Sequence, residues 1–373
     1  MHIRAAVATS PGEPFAIEDL ELDPPRADEV LVRILAVGIC RTDLHIRDQE
    51  YPVPLPAVPG HEGAGIVEAV GSAVTGLHLG DHVVLSFPSC GHCAQCLAAR
   101  PAYCAHGFAL SFGAQRLDAT SALRRADGKR VNGHIFQQSS FATHAVCPAR
   151  NAVKVPADLP LEVLAPLACG VQTGAGTVLN TLALRPGQSL AVIGAGGVGL
   201  SAVMAAAVCG AAPILAVEPN PRRRKLALEL GATAALDPSG VDLAEALTEL
   251  AGGPLDAIID TAAVPAVFTA AIPALDMTGT LALVGAAAAG VRAEVDLTTL
   301  LNGRILRGVI QGDAIPRLTI ARLIELYRTG RLPLESLIGY YDFDDINAAV
   351  SDMLAGSVIK PVLRVGHAGH QES

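Results

Sequence analysis

Charge is scarce in this chain. Only 17% of its 373 residues are charged, acids outnumber bases 36 to 27, and the formal net charge is -9. The nearest thing to a basic run, Arg222-Arg-Arg-Lys225, is too short to track a phosphate backbone, which excludes nucleic acid as the expected ligand. No secretory leader is expected: the sequence opens Met1-His-Ile-Arg-Ala with no apolar signal core or cleavage site, which reads as a cytoplasmic protein. No membrane span is expected either. The uncharged stretch from Leu190 to Val217 has the length of one, but it is crowded with glycine and alanine and interrupted by Pro213, which reads as strand, turn and buried helix. Apolar residues, by contrast, are plentiful. A hydrophobic content of 51% and a mean hydropathy of +0.41 exclude disorder and describe a compact chain whose surface is partly covered by a partner subunit, in a homodimer or homotetramer. At this length one core does not suffice, and two domains are expected.

In a reducing compartment the eight cysteines read as metal ligands or buried thiols and not as disulfides. Cys90-Gly-His-Cys93-Ala-Gln-Cys96, followed by Cys104 after seven intervening residues, offers four thiolates that can enclose one tetrahedral ion with no vacancy, the arrangement of a structural zinc. A second constellation is built differently. Gly38-Ile-Cys-Arg-Thr-Asp-Leu-His45 and Gly60-His-Glu-Gly-Ala-Gly65 bring a thiolate, an imidazole and several acids, and Pro166-Leu-Ala-Cys-Gly170 adds a further thiolate. Cys40, His61 and Cys169 make three ligands, which leaves a metal open on one side, as a catalytic zinc requires. Cys147 and Cys209 read as buried thiols. Tryptophan is absent and aromatics total 3%, yet five of the eight phenylalanines (Phe87, Phe108, Phe112, Phe136, Phe141) fall between positions 87 and 141, a bias that points to an aromatic-lined pocket beside the metal.

Short β-branched runs such as Glu29-Val-Leu-Val-Arg-Ile-Leu35, punctuated by glycine and proline, predict a small partly open β-barrel at the start of the chain. From Ala105 to Ala145 the expectation is a loop containing the polar piece Arg124 to Arg130. After Gln188 the pattern changes. Ser-Leu-Ala-Val-Ile-Gly194-Ala-Gly196-Gly-Val-Gly199, an alanine-rich helix and Pro213-Ile-Leu-Ala-Val-Glu218 make one βαβ unit with an acid at its second strand end. Gly194 permits the turn, Gly196 lets backbone approach a pyrophosphate, and Gly199 brings helix onto sheet. Glu218 would accept from the adenosine ribose hydroxyls and repel a 2′-phosphate, which favours NAD over NADP; Arg222 to Arg224 could reward a phosphate but read first as a solvated helix start. Further β and α segments continue the rhythm of a doubly wound parallel sheet. The expected division is a catalytic domain over 1–165, completed by about 310–373, and a nucleotide domain over 166–309, with a frayed tail after Gly366.

These motifs, with Leu167-Ala-Cys-Gly-Val-Gln-Thr-Gly174, closely resemble the zinc-containing medium-chain alcohol dehydrogenases over nearly the whole chain. Asp48-Gln-Glu-Tyr-Pro-Val-Pro-Leu-Pro56, Gln138-Ser-Ser-Phe-Ala-Thr143 and Gly170-Val-Gln-Thr-Gly-Ala-Gly176 look like the aryl-alcohol (benzyl alcohol) branch, which includes enzymes of allylic terpene alcohols. The resemblance implies a GroES-like barrel plus a Rossmann domain, two zinc ions per chain, NAD, and reversible oxidation of a primary aromatic or allylic alcohol to the aldehyde. It implies Cys40, His61 and Cys169 on the catalytic zinc and Cys90, Cys93, Cys96 and Cys104 on the structural one. Thr42 would bond the substrate oxygen, His45 would end a proton relay, Asp43 would orient His61, and Glu62 would lie behind the metal. Arg41 and Lys360 would contact the pyrophosphate; Val198 and Val284-Gly285-Ala286 would hold the nicotinamide; Thr173, Gly197 and Arg223 join the cofactor set. Tyr51, Phe87, Phe141, Ala286 and Ile310 would wall the substrate pocket. A glutathione-dependent formaldehyde dehydrogenase or polyol dehydrogenase would share the metal and nucleotide motifs. A non-catalytic zinc- and nucleotide-binding redox sensor would use the thiols without turnover.

Overall fold

A computed structural model describes residues 1–366; the tail after Gly366, expected to fray, lies outside them. Contacts divide the chain into two units, one of Met1–Cys169, Ile315–Ile324 and Leu334–Ser373, the other of Gly170–Ala314 and Glu325–Pro333. The first break therefore falls after Cys169, where the sequence reading put it after 165.

The first unit is mainly antiparallel. Its seven-stranded sheet runs Ile338–Asp342, Lys360–Arg364, β1 (Glu29–Gly38), β2 (Gly63–Val70), His82–Leu85 and Ala152–Lys154, with His144–Pro148 added on β1. β1 is the spine because its Val, Ile and Leu positions suit a pleated surface that is buried over nearly its whole length. Register shifts at Leu31/Val32 and Ile34/Ala36 interrupt its pairing with β2, and such irregularities bend a strand and deepen its twist. A smaller sheet orders His2–Val7, Ala16–Leu22, Leu123–Arg124 and Arg130–Val131. Val30, Val32, Ile34, Leu20 and Phe141 belong to the core of this partly open barrel. A short helix, α1 (Arg41–Arg47), follows β1 directly.

The stretch from Ala105 to Ala145 is more structured than a loop. It contains the helix α2 (Gly107–Phe112) and the antiparallel pair Leu123–Arg124 with Arg130–Val131. The charges that made it read as loop serve as ties: Arg124 reaches Glu21 and Asp23, and Arg125 forks onto Glu18.

The second unit is a six-stranded parallel sheet. Its order is Ala234–Leu236, β4 (Ile214–Val217), β3 (Leu190–Ile193), Leu255–Asp260, Leu275–Leu283 and Ile305–Gly308. In chain order that is third, second, first, fourth, fifth and sixth, the doubly wound arrangement in which ligands bind where the order reverses. α3 (Gly197–Cys209) joins β3 to β4, and its middle turns, Gly199 to Ala206, are buried. Among the described residues no helix is long and apolar enough to cross a membrane.

Candidate active site

Three elements of the first unit converge on one buried point. Cys40 caps the N-terminus of α1, His61 precedes β2, and Cys169 ends a short 3₁₀ turn. Gly60 adopts a φ of +91°, and a Cβ there would stand 2.3 Å from the Phe141 nitrogen, so only glycine can turn the chain at this place to present His61. The donor atoms of Cys40, His61, Cys169 and Glu62 all lie within 4.8 Å of one another.

Asp43 organises the point. Its Oδ2 accepts from the Cys40 backbone N–H at 3.0 Å, and its Oδ1 accepts from the Gly60 N–H at 3.0 Å and from His61 Nδ1 at 2.8 Å. Because Nδ1 donates, the neutral ring carries its lone pair on Nε2, and that atom is buried with no hydrogen-bond partner. An orphaned imidazole nitrogen facing two sulfurs is a poor protein interior and a good zinc site. The Cys169 thiol donates to Cys40 and holds the Cys40 thiol well below its ordinary range. Burial opposes charge on His61, but the Asp43 carboxylate outweighs it and raises the ring well above the usual histidine value. The residues present fit a zinc ion with one open position.

Glu62 and Lys360 close the back of the site. Lys360 Nζ donates to both Glu62 oxygens at 2.9 Å and to the Ile39 carbonyl at 3.0 Å, and the lysine is only 5% exposed. Its three protons are committed to that acid and that carbonyl, so Lys360 is a buried clamp on the acid beside the ligands. Arg41, expected with Lys360 at the pyrophosphate, is exposed at the first position of α1. Thr42 Oγ1 lies 3.8 Å from the Cys40 sulfur. His45 is partly buried, its Nδ1 is 2.5 Å from Glu50 Oε2, and its ring leans on Tyr51.

A chain of rings connects the two histidines. Phe136 stacks on His61 with centroids 4.4 Å apart, Phe112 meets Phe136 at 5.4 Å, Tyr51 meets Phe112 at 5.2 Å, and His45 meets Tyr51 at 5.3 Å. Phe87 is buried in the same unit. Phe141 does not belong to this wall. It is 0% exposed, edge-on to Phe15 at 5.7 Å in the barrel core, so it offers no surface to a ligand. Phe136 and Phe112, both among the five phenylalanines of the sequence bias, are the rings that line up between His61 and Tyr51.

Gln138 was also missed as a support. Its Nε2 donates to the His61 and Leu85 carbonyls at 3.0 Å, and its Oε1 accepts from Gly63 N and Ser140 Oγ. The surrounding segment is strained: His134, Phe136, Gln137 and Ser139 all have positive φ, a conformation that non-glycine residues hold only where neighbours enforce it.

The four remaining cysteines form a second cluster. Cys90 and Cys96 sulfurs are 4.0 Å apart, as are those of Cys93 and Cys104, close to the roughly 3.8 Å edge of a tetrahedron with zinc–sulfur bonds of about 2.3 Å. Backbone N–H groups of Cys90, Cys93 and Ala105 point at these sulfurs, as they do at thiolates. Cys147 is a core thiol that burial pushes well up, and Cys209 ends α3 partly exposed.

In the second unit Gly194 turns with a φ of +91°, a Cβ on Gly199 would stand 1.8 Å from the Gly194 carbonyl, and a Cβ on Gly196 would meet nothing within 4 Å. The space above Gly196, at the start of α3, suits a pyrophosphate; Gly197 and Val198 open that helix. Glu218 is buried, and its carboxylate accepts from Ala195 N at 2.8 Å and Asn220 N at 3.0 Å. Arg224 is committed to the Glu218 and Pro219 carbonyls and Asp237, whereas Arg223 Nε is buried without a partner. Thr173 Oγ1 is 3.3 Å from Gln311 Oε1. Val284 follows Leu275–Leu283 half-buried, and Ala286 and Ile310 are exposed.

Comparison with known proteins gives the same picture. An alcohol dehydrogenase GroES-like domain model matches residues 26–157, and a zinc-binding dehydrogenase model matches residues 197–328. A geraniol dehydrogenase of Castellaniella defragrans is 48% identical over 363 residues, 96% of this chain and 97% of that protein. The crystal structure of an alcohol dehydrogenase zinc-binding domain protein from Burkholderia ambifaria is 49% identical with a TM-score of 0.96, covering 98% of this chain and all of that one. The benzyl alcohol dehydrogenase of Acinetobacter calcoaceticus is 43% identical with a TM-score of 0.95, again over 98% of this chain and 100% of its own.

Proposed function

The chain belongs to the zinc-binding alcohol dehydrogenases of the medium-chain family, and from that premise we propose that it oxidises a primary aromatic or allylic alcohol to the aldehyde, with NAD as hydride acceptor. The observation that carries the proposal is the buried Cys40–His61–Cys169 donor set, one imidazole nitrogen of which is without a partner, standing at one end of a wall of rings. The first unit would bind metal and alcohol, and the second the nucleotide.

Zinc held by Cys40, His61 and Cys169 would supply Lewis acidity toward the alcohol oxygen, and NAD would supply the acceptor for the hydride leaving the α-carbon. The protein's own part is positional. Asp43 keeps the His61 proton on Nδ1 and so keeps Nε2 a ligand. Thr42 would accept the hydroxyl proton of the alcohol while passing on its own, a role supported by its Oγ1 lying beside the Cys40 sulfur. His45 would release that proton to solvent, with Glu50 holding its Nδ1. The balance is one alcohol and one oxidised nucleotide giving aldehyde, reduced nucleotide and a proton.

Flat, conjugated substrates suit a wall made of Phe136, Phe112 and Tyr51, because offset ring contacts favour them over small alkanols. The related geraniol and benzyl alcohol dehydrogenases support the same substrate class. Glu218, pinned by two backbone N–H groups, supports NAD, since a 2′-phosphate would meet its charge. The apolar composition supports a homodimer or homotetramer. The test is a panel of alcohols with NAD: benzyl alcohol and a prenyl-type allylic alcohol should exceed ethanol in kcat/KM, and an ethanol value equal or higher would overturn the substrate class.

A further inference from the structure

The four-cysteine cluster has an outer face that an ion held by its four sulfurs would not use. Beside the Cys90 sulfur stand two imidazoles, and one ring nitrogen each from His92 and His106 lies with that sulfur inside a mutual distance of 4.8 Å. Both rings are exposed, and their centroids are 6.1 Å apart with planes inclined at 40°. His92 Nδ1 lies 3.0 Å from the Cys90 carbonyl oxygen. A carbonyl only accepts, so Nδ1 carries the proton and Nε2 carries the lone pair. Nε2 is therefore the nitrogen that His92 would offer a cation, as His61, with its Nδ1 held by Asp43, offers its own Nε2 in the first site.

The chemistry of the donors selects the ion. From Phe87 to Leu117 the chain contains no Asp or Glu, so the set is two imidazoles and a thiolate, which favours zinc-like borderline cations and offers nothing to magnesium or calcium. Charge favours a second cation as well: one Zn²⁺ among four thiolates leaves a formal charge of about -2. The Arg150 guanidinium, which stands against Gly91, offsets only part of it.

We infer that Cys90, His92 and His106 form an outer site for one further divalent cation of the zinc type, with the Cys90 thiolate bridging it to the four-cysteine site and solvent completing its coordination. The inference rests on the reading of that cluster as zinc-loaded. An ion there would tie the Cys90–Cys96 knuckle to His106, the residue that leads into α2, and α2 carries Phe112 of the aromatic wall.

The experiment is a titration of tag-free holoprotein with Zn²⁺ by calorimetry, with zinc per chain counted by atomic emission before and after. The wild type should take up one zinc beyond those it is isolated with. His92→Ala and His106→Ala should each weaken that uptake at least tenfold while keeping the isolated zinc content and the alcohol oxidation rate measured without added zinc. No additional uptake by the wild type, or uptake by either variant as tight as the wild type's, would overturn the site. A failure of the four-cysteine reading is distinguishable, because it shows as one zinc too few in the protein as isolated, in wild type and variants alike.

Discussion

Replacing Asp43 with asparagine takes away one of the two oxygens that join α1, Gly60 and His61. In the structure Oδ1 serves two donors, Gly60 N and His61 Nδ1, and Oδ2 serves the third, Cys40 N. An asparagine that keeps its oxygen toward His61 turns its amide N–H₂ onto the Cys40 N–H, donor against donor. The flipped amide faces two donors and is worse. The cheaper arrangement still loses a charge-assisted bond and strands a buried N–H, at a cost of about 1–3 kcal/mol. It also removes the carboxylate that keeps the His61 proton on Nδ1, a change that lowers metal affinity about 10–100-fold. The two magnitudes agree, since a factor of ten is about 1.4 kcal/mol. In a chelator competition that resolves two zinc classes, Asp43→Asn should weaken one class by that factor and leave the four-cysteine class unchanged as an internal control. Undiminished affinity in both classes would refute the reasoning that Asp43 sets the His61 tautomer.

Phe136→Ala removes the ring stacked on His61, worth about 0.5–1.5 kcal/mol, and should lower the benzyl alcohol to ethanol ratio of kcat/KM about three- to tenfold; an unchanged ratio would remove Phe136 from the substrate wall. Glu218→Ala should lower the preference for NAD over NADP about 10–100-fold, the worth of a hydrogen bond to a charged group, and equal discrimination before and after would discount the acid. His134 is pushed down to about 4 by burial and then by Arg116, from an ordinary 6.5, while its Nε2 accepts from Ala122 N. Because the folded value is the lower one, the unfolded chain takes up the proton first. Stability is complete above about pH 6.5 and falls by at most about 3 kcal/mol as the pH drops to 4. Urea midpoints between pH 7 and 4.5 should slope less in His134→Asn, and parallel slopes would count against a buried neutral His134.

Much of the architecture could be read from local pattern. The switch from β-branched runs to strand-turn-helix units after Gln188 anticipates the two sheets, and the glycine triplet with Glu218 anticipates the β3–α3–β4 unit because all its parts lie within one short stretch. The spacing of Cys90, Cys93, Cys96 and Cys104 places four sulfurs together for the same reason. What escaped was contact between distant segments. Lys360 and Glu62 are 298 residues apart, and a resemblance that transfers a position says nothing of the acid that its ammonium meets. Phe136 and Phe141 have the same side chain five positions apart, and only the positive φ at Phe136 and the close approach at Gly60 decide that the first stacks on His61 and the second enters the core. The polar segment from Arg124 to Arg130 misled because its acid partners, Glu18, Glu21 and Asp23, lie about a hundred residues earlier.

The account stands on Cys40, His61 and Cys169 meeting one zinc whose remaining position is free for an alcohol. The most direct measurement is zinc per chain by atomic emission together with benzyl alcohol-dependent reduction of NAD, in wild type and in Cys40→Ser. The prediction is the loss of one zinc equivalent and of turnover, with the four-cysteine zinc retained. A Cys40→Ser protein that kept its full zinc content and oxidised the alcohol at the wild-type rate would contradict it.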